Sequence, residues 1–298
     1  MRHIISIKDF GRDEIDALLE KAAKIQKLGS YKRTLEGKLV ALLFFEPSTR
    51  TRMSFTSALA RLGGDPITVD SVEGSSISKG ETLADTVRVV SSYVDAIVLR
   101  HPKEGAALLA SEFASVPVIN AGDGAGQHPS QTLLDLFTIK ENMPLDGIDV
   151  GLLGDLRYGR TAHSLSYALS NYDVRLHTIA PKSLEMPAGH MSELKKRGVE
   201  VIEHQGLEEV INDLDVLYAT RIQRERFPDS ASYSRVANTY RITPDTLKDV
   251  RENLILLHPL PRAGEISPEV DALPYAKYFR QAQNGIPVRM AMLEEVML

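Results

Sequence analysis

Along almost the whole chain, short runs of aliphatic and β-branched residues alternate with stretches whose apolar positions recur at helical spacing. The runs at 38–46 (KLVALLFFE), 66–70 (PITVD), 95–100 (DAIVLR), 116–120 (VPVIN) and 149–155 (DVGLLGD) read as strands, as do those at 174–180 (VRLHTIA), 199–204 (VEVIEH), 214–221 (LDVLYATR) and 254–260 (LILLHPL). Between them lie segments such as TRMSFTSALARLG and GETLADTVRVVSSYV, apolar every three or four residues. This repeated strand–helix–strand order predicts an α/β fold of parallel sheets with helices on both faces. Nine strands suit two sheets of four or five better than a single open one.

The break between the sheets falls at 131–148, where QTLLDLFTIKENMPLDG reads as a helix followed by a Pro/Gly turn. We therefore expect one domain over 1–131 and a second over 132–283, with the amphipathic segment 284–298 packing back on the first. Two connections stand out. Residues 71–80 (SVEGSSISKG) form a polar loop ending near a lysine, and 222–242 (IQRERFPDSASYSRVANTYRI) is long with little periodicity. Long connections in compact domains are commonly lids or other functional loops, although surface insertions are tolerated there too.

Composition narrows the partners. A net charge of -5 argues against a general nucleic-acid binder, so clusters of arginine must serve small anions. The absence of cysteine excludes disulfides, thiolate metal sites and a cysteine nucleophile. No apolar run approaches the roughly 18 residues of a membrane span, and the N-terminus lacks a secretory h-region. A cytoplasmic location, with no nucleic-acid or membrane partner, is the expectation.

The most pointed chemistry lies in FFEPSTRTRMSF, Phe44 to Phe55. A strand ends at FFE, Pro47 turns the chain, and a helix begins near residue 50. The free N–H groups at such a helix mouth favour an anion. Ser48, Thr49 and Thr51 surround Arg50, whose planar fork suits phosphate or carboxylate. One hydroxyl is enough to cap a helix; a phosphate can use all four side chains. Neither a P-loop nor the dinucleotide-binding glycine spacing is present, GDGAGQ at 122–127 included.

Other polar groups fall where parallel sheets place their ligands, just past strand ends. Arg100 closes one strand, and His128 and Gln131 lie three residues apart in the first turn of a helix. Arg160 sits at another helix start, and Arg221 and Gln223 share one side if their strand continues. In HPLPR (258–262) two prolines are expected to hold an extended backbone that exposes the carbonyls of Leu260 and Pro261. Taken singly each residue has an ordinary structural explanation; their joint placement at strand ends is what points to a site.

These blocks, with SSISKGETLADT, LRHPKEGAA, GDLRYGRTAHSL and YATRIQRERF, resemble the transcarbamoylase family over essentially the full length, specifically the catalytic chains of its aspartate branch. Ser-Thr-Arg-Thr-Arg and His-Pro-x-Gln are common to the family, whereas TRIQ and HPLPR are similar to the aspartate branch. The ornithine branch typically carries a cysteine in the block matching HPLPR and a Ser-Met-Gly motif, and this chain has neither. The resemblance implies two doubly wound domains joined by two helices, a homotrimer with shared sites, and no cofactor or metal. A separate regulatory chain is a further partner that the sequence leaves open.

By the same resemblance Ser48, Thr49, Arg50 and Thr51 bind the phosphate of carbamoyl phosphate. Thr51, Arg100 and His128 reach its carbonyl oxygen, and Gln131 with the Leu260 and Pro261 carbonyls holds its amide. Arg160 takes the α-carboxylate of L-aspartate, with Arg221 and Gln223 on the side-chain carboxylate. Lys79, with Ser75 or its neighbour Ser76, is implied to act from an adjacent subunit. Glu46 and Arg226 are implied to pair on domain closure. The implied reaction gives N-carbamoyl-L-aspartate and phosphate, the committed step of pyrimidine biosynthesis. The rivals are a transcarbamoylase using another amine, such as ornithine, and a non-catalytic phosphate-binding module of the same fold.

Overall fold

A computed structural model describes residues 1–28, 31–69, 79–222 and 240–298. Residues divide into two compact units, 1–134 with 284–298, and 135–283.

In the first unit four parallel strands lie in the order β2-β1-β3-β4: β1 (Leu39–Phe44), β2 (Asp65–Val69), β3 (Ala96–His101) and β4 (Val118–Asp123). The central strands are apolar at nearly every position because helices cover both faces. Thus Val40 to Phe44 and Ala96 to Arg100 are all buried, while the edge strand β2 exposes Asp65, Ile67 and Thr68 and fully buries none of its residues. Helix α1 (Arg12–Lys27) buries Ile15, Leu18, Leu19 and Ala22 at helical spacing. Helices α2 (Thr49–Arg61), α3 (Leu83–Ser91) and α4 (Ala106–Phe113) connect successive strands. Thr82 caps α3, its hydroxyl accepting from the Asp85 N–H at 3.1 Å.

The second unit carries five parallel strands in the order β7-β6-β5-β8-β9: β5 (Ile148–Leu153), β6 (Val174–Ile179), β7 (Glu200–His204), β8 (Val216–Ala219) and β9 (Ile255–Leu257). Helices α6 (Arg160–Leu169) and α7 (Ala188–Lys196) link β5, β6 and β7. Its main apolar cluster runs from Leu153 and Ile179 through Leu217 and Leu256 to Ile266 and Tyr278.

The chain passes from one unit to the other inside α5 (Pro129–Asn142) and returns inside α8 (Tyr278–Met297). The C-terminal part of α8 belongs to the first unit through Arg289, whose Nη1 donates to Ser54 Oγ at 2.9 Å, and through Glu294, which accepts from Thr34 Oγ1 at 2.6 Å. All nine strands read from the periodicity are present, though most are shorter. The run 214–221 is paired only over Val216–Ala219, so Arg221 lies beyond the strand rather than in it. Among the described residues no helix is long and apolar enough to cross a membrane.

Candidate active site

In each sheet the connections leave the first strand in opposite directions. The first unit therefore has a topological switch point between β1 and β3, and the second between β5 and β8. Ligands of open parallel sheets bind beyond the strand ends at such points, and the sequence-selected residues gather at both.

In the first unit, Phe44 stands opposite Arg100 in the β1/β3 register, and the Phe45 N–H donates to the Arg100 carbonyl at 2.9 Å. Two chain segments over fifty residues apart are thereby carried side by side into the site. Arg100 is 8% exposed; its Nη1 donates to the Ala121 carbonyl at 3.0 Å, and Nη2 lies 3.2 Å from Glu46 Oε2. A Cβ added at Gly122 would stand 2.7 Å from Arg100 Nη1 and 3.4 Å from His128 Cδ2, at a backbone φ of +115°. Only glycine lets the guanidinium and the imidazole close in on this turn.

Asp123 organises the loops around them. Its carboxylate accepts from the N–H groups of Gly105 and Gln127, each at 2.9 Å, and from Asn120 Nδ2 at 3.1 Å. His128 then opens α5: its carbonyl accepts from the Gln131 and Thr132 N–H groups, and Pro129 takes the first helical position, where no N–H is needed. His128 and Gln131 are buried on that first turn. Ser48 is the N-cap residue of α2, yet its hydroxyl makes no cap hydrogen bond. Thr49 and Arg50 are exposed in the first turn, and Thr51 is buried. The Ser48 hydroxyl is thus not consumed in closing the helix, as an ordinary cap would require.

In the second unit, the Thr220 N–H and hydroxyl both donate to the Leu153 carbonyl, at 2.8 and 2.9 Å, stitching the ends of β8 and β5 together. Gly154 permits this approach, since a Cβ there would lie 2.4 Å from the Thr220 carbonyl oxygen. Arg160 follows on the first turn of α6, and Arg221 is exposed directly after Thr220. His163 Nε2 contacts the Leu156 carbonyl at 2.6 Å, tying α6 to the loop after β5.

The segment 258–262 departs from the expected extended backbone. The Leu260–Pro261 peptide is cis, and Leu260 has a φ of 58°. Its amide donates back to His258 Nδ1 at 2.8 Å, curling the chain into a turn that the two prolines alone do not specify. A leucine in the left-handed region is uncommon and concentrates at functional sites. Among the described residues neither the Leu260 nor the Pro261 carbonyl serves as a hydrogen-bond acceptor.

Lys79 is described and exposed, whereas Ser75, Ser76, Gln223 and Arg226 lie outside the described residues. Glu46, expected to pair with Arg226, here faces Arg100. Sequence reasoning passed over Gly122, Asp123, Gly154, Thr220 and the His258 side chain. The glycines and Asp123 stood within quoted motifs, but their roles depend on which strands are neighbours. Among the described residues no group of histidine and carboxylate side chains could hold a metal ion.

Two family models match the chain: the aspartate/ornithine carbamoyltransferase carbamoyl-P binding domain over residues 2–141 and the Asp/Orn binding domain over 146–296. The aspartate carbamoyltransferase catalytic subunit of Methanoculleus marisnigri is 72% identical over 100% of both chains, and that of Archaeoglobus fulgidus is 56% identical with the same coverage. Among solved structures, the catalytic subunit of M. jannaschii aspartate transcarbamoylase is 50% identical with a TM-score of 0.94, covering 100% of this chain and 98% of that one. The Trypanosoma cruzi enzyme in complex with N-(phosphonacetyl)-L-aspartic acid is 41% identical, also at 0.94, covering 100% and 96%. With full-length identity at this level and both halves of the fold matched in order, the chain belongs to the aspartate carbamoyltransferase catalytic subunits of the transcarbamoylase family.

Proposed function

We propose that this chain transfers the carbamoyl group of carbamoyl phosphate to the α-amine of L-aspartate, giving N-carbamoyl-L-aspartate and phosphate. The observation that carries the reading is the buried grouping of Arg100 and His128 about Gly122, beside an α2 mouth whose Ser48 hydroxyl is not spent on capping. Ser48, Thr49, Arg50 and Thr51 hold the phosphate. Thr51, Arg100 and His128 donate to the carbonyl oxygen, where negative charge grows as the amine attacks. Gln131 and the carbonyls of Leu260 and Pro261 hold the amide. Arg160 takes the α-carboxylate, and Arg221 with Gln223 takes the side-chain carboxylate.

No protein nucleophile is required, because the substrate amine attacks. The work of the protein is positioning, which can lower a barrier by about 7–11 kcal/mol. Donors aimed at the developing oxyanion add to it, removal of one typically costing about 3–4 kcal/mol. The departing phosphate accepts the amine proton. Two substrates bearing about four negative charges repel one another strongly, and Arg50, Arg100, Arg160, Arg221 and Lys79 offset that repulsion.

The working assembly is a homotrimer in which Lys79 and Ser75 serve a neighbouring subunit's site, and Glu46 pairs with Arg226 on closure. Regulation by a separate chain is compatible with this reading. Assay of the purified protein with carbamoyl phosphate and a panel of amino acids tests the activity. Turnover with aspartate and none with ornithine is expected, and the reverse preference overturns the reading.

A further inference from the structure

From the bonding around the turn that follows β9, we infer that His258 is a positioning residue: its Nδ1 sets the Leu260 and Pro261 carbonyls for the carbamoyl amide. The inference rests on the proposed role of those carbonyls.

The prolines at 259 and 261 leave four amide donors between His258 and Ala263. Three are committed to side chains. The His258 N–H donates to Gln281 Oε1 at 2.9 Å, the Leu260 N–H to His258 Nδ1 at 2.8 Å, and the Ala263 N–H to Glu265 Oε2 at 2.8 Å. The last two bracket the carbonyls of Leu260 and Pro261. A backbone amide can only donate, so His258 Nδ1 must be bare and the ring proton must sit on Nε2. Nε2 faces Glu265 Oε1 at 2.7 Å, which takes that proton as an acceptor. One carboxylate thus fixes the ring's tautomer and the far end of the turn together.

Behind the ring the anchoring is buried. Gln281 Nε2 donates to Asp135 Oδ1 at 2.6 Å, and the Tyr218 hydroxyl to Asp135 Oδ2 at 2.9 Å. His258, Gln281, Asp135 and Tyr218 are each at most 1% exposed. Glu265 is itself tied down, its carbonyl accepting from the Ile242 N–H at 2.8 Å. Burial tends to raise the Glu265 carboxyl, but hydrogen bonds from His258 and backbone amides outweigh it and hold the group below its ordinary value. So firm a frame around one ring is more than packing needs: what it holds in place is Leu260, at a φ of 58°, and two carbonyls without a described partner.

The two ring nitrogens can be separated by substitution. In His258→Asn the side-chain oxygen falls near the Nδ1 position and still accepts from Leu260. In His258→Gln the amide falls near Nε2, keeping a donor for Glu265 and losing the acceptor for Leu260. Selectivity is read by binding carbamoyl phosphate against acetyl phosphate, whose methyl group cannot donate to the carbonyls. The native chain should prefer carbamoyl phosphate; His258→Gln should lose about tenfold of that preference, and His258→Asn should recover most of it. Thermal stability is measured alongside.

Equal loss of selectivity in both variants, or none in His258→Gln, overturns the positioning role. A native chain that binds both acyl phosphates alike removes the carbonyl role itself, a failure visible before any variant is made. Glu265→Ala leaves the ring in place without its anchor, and should lose two- to fivefold of the preference even if His258→Gln does not fold; unchanged selectivity there also overturns the inference.

Discussion

Glu46 Oε2 stands 3.2 Å from Arg100 Nη2, so the carboxylate covers one edge of the guanidinium that the proposed mechanism aims at the carbamoyl oxygen. An anion that uses that edge must displace Glu46. Glu46→Gln removes the charge and keeps the shape, and inorganic phosphate should then bind about three- to tenfold more tightly by calorimetry, a change of order 1 kcal/mol. If Glu46 also serves closure, turnover should fall in the same variant. Weaker phosphate binding would instead mean that Glu46 orients Arg100 for its ligand.

The close approach at Gly122 gives a sharper test. In Gly122→Ala the new Cβ meets Arg100 Nη1 at 2.7 Å on a backbone with φ of +115°, so the guanidinium must move. Loss of one well-placed oxyanion donor predicts a fall in turnover of about 10²-fold or more. Gly198 separates this from backbone strain alone, since its φ is +86° and nothing stands within 4 Å of an added Cβ. Gly198→Ala should cost about 1 kcal/mol in denaturant stability and leave turnover unchanged.

The nine strands and the strand–turn–helix unit at Ser48–Thr51, to which the proposal gives the phosphate, were legible because local periodicity and composition carry them. Contacts that need strand order were not. Glu46 meets Arg100 because β1 and β3 pair in parallel with Phe44 opposite Arg100, and nothing local to either segment states that neighbourhood. Gly154 and Thr220 come together for the same reason across β5 and β8. At Leu260 the failure is of another kind. Proline flanks favour extended backbone, but the tertiary bond to the His258 ring and the frame of Glu265, Gln281 and Asp135 override that preference. Local rules fail where a site needs an unusual backbone.

The second unit should weaken in acid through Asp149. Burial alone would raise its carboxyl, but hydrogen bonds from Arg175 Nη2 at 2.7 Å and His177 Nε2 at 3.0 Å pull it below the ordinary carboxylate value. Because the folded value is the lower one, the stabilisation is full above the unfolded value of about 3.9 and is lost as pH falls through the folded one. Asp149→Asn should lower denaturant stability by about 1–3 kcal/mol near neutrality. The gap to the native protein should shrink as pH drops from about 5 toward 3. A gap that is constant with pH would assign the loss to packing instead.

The proposed shared site makes the strongest demand on assembly. Lys79 is exposed, and the reading gives it to a neighbouring subunit's site, while His128 acts within its own chain. Lys79→Ala and His128→Ala trimers should each be nearly inactive. When equal amounts are dissociated and reassembled, a site is whole if its own chain carries the native histidine and its neighbour the native lysine. Random mixing makes about a quarter of sites whole in a cyclic trimer. Activity should therefore return to about a quarter of that of native trimers taken through the same treatment, by steady-state assay at saturating substrate. If Lys79 acted within its own chain, no site could recover both residues, and the mixture would stay inactive while the native control revived.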